Sequence, residues 1–183
     1  MRRPSKSFEI ALSAIACAVA AVALTVGSYV DIFFAAGYLV AIFAFMIPLA
    51  KDFVWGAALA YVGACILAFL FCGFAILRIL PFIAFFGLHP IVNWVQRKFV
   101  HKKPLHALCF LGKALWFDLA MWLLWAVILV PFFGIESQAW YPFVARYFYL
   151  VLFLGGTVFF AAYDYLIFLC QRSANITVKR IRR

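Results

Sequence analysis

The sequence predicts an all-α polytopic membrane protein with six transmembrane helices and both termini cytoplasmic, and three observations support that class. Of 183 residues, 69% are apolar and only 12% charged, which excludes a soluble domain of ordinary composition. The apolar residues fall into six runs, each near the roughly 20 residues a helix needs to cross a hydrocarbon core. The 16 Lys and Arg residues sit between those runs, where they set topology. The net charge of +10 therefore does not point to nucleic acid.

The spans are expected near 8–27, 32–50, 53–72, 76–96, 106–131 and 145–171, within a single transmembrane domain covering 1–183. In the first, Ala11 to Val26 is almost continuously apolar, whereas a β-barrel strand would alternate, so the element is a helix. Arg2, Arg3 and Lys6 precede it as in a signal peptide, but the run is long enough to span and reads as an uncleaved helix. Its alanines include the small-xxx-small pairs Ala14/Ala18 and Ala16/Ala20, which let a neighbouring helix approach closely. Tyr29 and Asp31 mark the first turn between spans, and Lys51 the second. The fourth span starts near Arg78 and contains Pro81 and Phe86-Gly87-Leu88-His89-Pro90. Pro90 cannot donate to the helical ladder and crowds the Phe86 carbonyl, so a kink or break is expected there. Arg97 to Pro104 connects it to the fifth span, and a longer connection with Glu136, Gln138, Trp140, Tyr141 and Arg146 leads to the sixth.

Placing the N-terminus in the cytoplasm puts 13 basic residues inside and only Arg78 and Arg146 outside, with Lys113 within a span. The chain is thus expected to be a multi-pass protein of the cell membrane. The basic tail around Lys179, Arg180, Arg182 and Arg183 would face anionic lipid headgroups or a cytoplasmic partner. Short loops leave no space for a catalytic domain outside the bilayer.

Ionisable residues inside spans are expensive and call for a partner or a function. His89 and nearby Asn93, Lys113, Asp118 and Asp164 form this intramembrane polar set. Counting about 1.5 Å of rise per residue from the cytoplasmic ends puts His89, Lys113 and Asp164 at a similar depth, roughly 10 Å. Lys113 and Asp164 carry opposite charge and would lower each other's cost as a pair. Such a set suits a proton or ion relay, or a structural tie with Lys113 reaching towards headgroups. On the outer side, Arg78, Glu136, Trp140 and Arg146 offer both charge signs and aromatic faces to a small ligand, while Trp140 and Tyr141 equally suit an interfacial belt.

The five cysteines show no CxxC pair and no zinc-ligand spacing, so neither a metal site nor a cofactor is expected. No HExxH or GxSxG sequence is present, which disfavours an enzyme.

The Ala-rich first helix with its AxxxA spacing, the short first outer loop and the runs Ile32 to Ala50 and Phe53 to Leu70 resemble the substrate-binding S component of energy-coupling factor (ECF) importers. The resemblance is one of pattern across most of the chain. It implies that Ala14 and Ala18 dock on the coupling membrane subunit, and that Arg78, Glu136, Trp140 and Arg146 lie near a vitamin-like solute. No GxxxxGK[ST] sequence is present, so energy would come from partner ATPase subunits. Phe85 to Asn93, followed by Lys113 to Asp118, is also similar to uncharacterised bacterial membrane proteins of this size. Two other classes compete: a stand-alone ion-coupled transporter using the intramembrane Lys, Asp and His residues, and a non-transporting scaffold or assembly factor that binds lipid or membrane proteins.

Overall fold

A computed structural model describes residues 6–133 and 137–181. Glu136, Arg2, Arg3, Arg182 and Arg183 lie outside the described residues. Every regular element among the described residues is helical. Five helices are long and apolar enough to cross a membrane: Lys6–Tyr29, Asp31–Ala50, Val54–Cys72, Lys103–Phe132 and Tyr141–Ile176. The chain divides into two compact units, one of residues 1–98 with 167–183 and one of residues 99–166.

In the first unit, α1 (Lys6–Tyr29) packs along both α2 (Phe34–Ala50) and α3 (Val54–Cys72). Small residues make this possible. A Cβ added at Gly37 would stand 2.6 Å from the Ala23 carbonyl oxygen, and one at Gly63 would stand 2.9 Å from Cys17 Sγ. Between α1 and α2 the chain turns through a 3₁₀ segment, Asp31–Phe33. Between α2 and α3 it turns at Lys51 and Asp52, whose amides donate to the carbonyls of Pro48 and Leu49 at 3.0 Å. Asp52 takes φ 63°, the left-handed region that short polar side chains tolerate. Asp52→Val is expected to destabilise the fold by about 1–2 kcal/mol, read by thermal melting in detergent, because branching at Cβ aggravates that strain. Unchanged melting would rule that strain out.

The fourth predicted span is where sequence and structure part. Helix α3 stops at Gly73, which adopts φ 48°, and a 3₁₀ segment follows over Gly73–Arg78. A π-helical turn then occupies Phe82–Phe86, with the Gly87 amide donating to the Phe82 carbonyl at 2.9 Å. Gly87 is required there, since a Cβ would lie 2.5 Å from Tyr61 Cε2. Only after this does α4 (His89–Phe99) begin. Pro90 is its second residue and opens a helix where its missing N–H is harmless, so the break precedes the proline. Rings of Tyr38, Phe45, Tyr61 and Phe82 fill the space beside this interrupted stretch, with Tyr38 and Phe82 centroids 5.1 Å apart.

The second unit is an antiparallel arrangement. Helix α5 (Lys103–Leu123) continues through a π segment, Leu124–Leu129, into the short α6 (Val130–Phe133). The return run is α7 (Tyr141–Leu150), a π segment Val151–Gly155, and the start of α8 (Gly156–Ile181). Phe110 meets Phe160 with centroids at 5.2 Å, and Phe117 meets Phe159 and Phe160 at 6.0 and 5.9 Å. At the other end Trp125 stacks on Phe148 and Tyr141, at 4.9 and 6.0 Å.

Candidate functional site

The strongest chemistry lies on the facing surfaces of α5 and α8. Apolar neighbours surround that face because Phe110 and Phe117, two turns apart on α5, both meet Phe160 of α8. Lys113 Nζ donates to Asp164 Oδ1 at 2.6 Å, with side-chain exposures of 7% and 21%. A charge-assisted bond of that length in a buried setting offsets part of the desolvation each group suffers.

Asp118, five residues further along α5, is 7% exposed. Its Oδ1 is buried and has no hydrogen-bond partner among the described residues. The backbone opposite is Gly156, where a Cβ would stand 3.4 Å from Asp118 Oδ1 and 3.4 Å from Phe117 Cε1. Gly156 was not singled out in the sequence. Its only signal there is position: it precedes Asp164 by eight residues on the antiparallel helix, within about one turn of the level that the Lys113 pair sets for Asp118.

The other sequence-predicted residues fall elsewhere. His89 is fully buried in the first unit, its ring 5.1 Å from that of Phe85, and Asn93 follows one turn later on α4. The structure thus brings Lys113 and Asp164 together and places Asp118 near them on the same helix, while His89 and Asn93 belong to the other unit.

Arg78 is engaged by its own chain. Its Nη1 donates to the Asp31 carboxylate and, at 3.3 Å, to the Ser28 carbonyl, while Tyr38 Oη donates to the Arg78 carbonyl at 2.5 Å. Together with the Tyr29 hydroxyl on the Phe71 carbonyl at 2.8 Å, this fastens the α1–α2 turn to the end of α3 and the segment after it. Sequence reading named Arg78 and Asp31 separately, without the pair. Trp140 and Arg146 belong to the second unit: Trp140 is about half exposed, 6.1 Å from the Trp125 ring, and the Arg146 guanidinium lies over Tyr147 at 5.6 Å.

The alanine pairs of α1 separate into two faces. Ala16, Ala20 and Ala21 are buried, Ala20 completely, whereas Ala14 and Ala18 are exposed along with Ile15, Val19 and Val22. All five cysteines are free thiols; Cys72 is buried and its Sγ lies 3.0 Å from Ser28 Oγ. Among the described residues, no three His, Cys, Asp or Glu side chains gather as a metal set.

No known protein family, curated protein or solved structure matches the chain.

Proposed function

We propose that the chain is an integral membrane subunit that captures a small solute and docks on a partner membrane protein, as the S component of an ECF-type importer does. The reading places it in the cell membrane of a bacterium with both termini cytoplasmic, among membrane lipids, and with ATPase subunits supplying the energy. The observation that carries it is the division of α1: Ala16 and Ala20 are spent on the chain's own packing, while Ala14 and Ala18 stay exposed. A face of small side chains left uncovered allows a second helix backbone to approach closely. Trp140 and Arg146, both in the second unit, supply an exposed ring and a cation towards the solute.

The test is purification from the native host in mild detergent, with mass spectrometry of proteins and bound small molecules. Recovery of a coupling membrane subunit with ATPase subunits is expected, and is lost on Ala18→Trp while the chain itself stays monodisperse. Ala20→Trp, by contrast, disrupts the fold because that position has no free space. Recovery of the wild-type chain alone overturns the proposal.

A second reading, a stand-alone ion-coupled transporter, is favoured by the buried Lys113–Asp164 pair. Uptake into liposomes holding this chain alone, abolished by Asp164→Asn, would support it; no uptake would eliminate it.

A further inference from the structure

We propose that Asp118 is a proton-binding site: its carboxyl is loaded and unloaded inside the second unit, separately from the neighbouring ion pair. The proposal stands whether the chain works alone or with partners, because it rests only on the surroundings of this side chain.

Oδ1 of Asp118 is buried without a hydrogen-bond partner among the described residues, and the side chain is 7% exposed. The groups gathered with it around the bare Cα of Gly156 are the Phe117 ring and the Leu152 side chain. Burying Oδ1 of an ionised carboxylate without a donor is costly, and protonation at that oxygen removes the cost. The other titratable groups of the two helices near this level are the buried Lys113 and Tyr163 and the part-buried Asp164. Lys113 Nζ is held 2.6 Å from Asp164, and five residues place it about 140° around the helix axis from Asp118.

The ligand class follows from the oxygen count. A sodium- or calcium-like cation gathers several oxygen ligands, and this position offers a single carboxyl. A proton needs only one. It comes from bulk water and returns to it, converting carboxylate to carboxylic acid and back, with no further reactant.

The backbone beside the carboxyl is also unusual. The π segment Val151–Gly155 ends where Gly156 begins, and the π segment Leu124–Leu129 starts six residues beyond Asp118. Such turns are rare and concentrate at functional positions, and here both helices that enclose the carboxyl carry one.

Infrared spectroscopy of the full chain in lipid bilayers tests this directly. At neutral pH the wild type is expected to show the carbonyl stretch of a protonated carboxylic acid. Asp118→Asn, a neutral replacement of the same shape, should abolish that band, Asp118→Glu should shift it without abolishing it, and Asp31→Asn or Asp52→Asn should leave it unchanged. Absence of the band in the wild type, or its persistence in Asp118→Asn, overturns the assignment. Circular dichroism of the variants confirms that a lost band reflects a lost carboxyl, and the insensitivity of the readout to transport keeps it independent of the importer reading.

Discussion

Lys113→Met is expected to lower the stability of the purified chain by about 3 kcal/mol, because Asp164, 21% exposed, then loses the cation held 2.6 Å away. The size of the effect comes from location. Exposed ion pairs contribute about 0–1 kcal/mol, and Lys113 is only 7% exposed. Removing both charges should cost much less: Lys113→Met with Asp164→Leu replaces two desolvated ions by apolar side chains and is expected to recover most of the loss. Thermal melting of wild type, both single variants and the double variant in one detergent measures the coupling. Additive losses across the four would show that the 2.6 Å contact adds nothing.

Gly37→Leu is expected to cost about 3 kcal/mol and to loosen the α1–α2 pair. The atom in the way is the Ala23 carbonyl oxygen, 2.6 Å from the added Cβ, with the Gly27 Cα at 3.2 Å. Both belong to backbone inside helices and cannot rotate aside as a side chain would. Gly112 gives the opposite result. Nothing lies within 4 Å of a Cβ there, so Gly112→Ala should stabilise α5 by about 0.5–1 kcal/mol through reduced backbone freedom. If Gly37→Leu melts with the wild type, the close approach of α1 and α2 is not what holds the first unit together.

The helices most legible in the sequence are those whose apolar run is uninterrupted. Lys6–Tyr29, Val54–Cys72 and the run from Lys103 each agree with their expected spans to within a few residues. Depth counting also put Lys113 and Asp164 at one level, because the rise per residue is nearly constant along an α-helix and two buried opposite charges gain by meeting. The fourth span was harder. Pro81, Gly87 and Pro90 announced an interruption, but hydropathy is blind to the change of helix type, and the first departure is the positive φ of Gly73. Spacing could not say which alanine pair of α1 faces inward, since Ala14/Ala18 and Ala16/Ala20 satisfy the same rule; packing against α2 and α3 buries the second pair and leaves the first exposed. The Arg78–Asp31 pair joins positions 47 residues apart, a separation over which sequence pattern carries no pairing signal. Nothing in Leu124 to Leu129 departs from an ordinary apolar helix, so its π turn had no sequence cue at all.

Those π turns make the chain's length adjustable from within. Each accommodates roughly one more residue than an α-helical stretch would, and one residue corresponds to about 100° of rotation. Deleting a single residue between Leu124 and Leu129 would let the helix relax to ordinary winding with Phe132 keeping its direction, and Lys113 and Asp118 upstream keep their places. A one-residue deletion in the middle of a continuous α-helix would instead rotate half of its apolar face out of register. The two helices of the second unit thus contain joints at which a single-residue deletion can be absorbed without any loop to take it up.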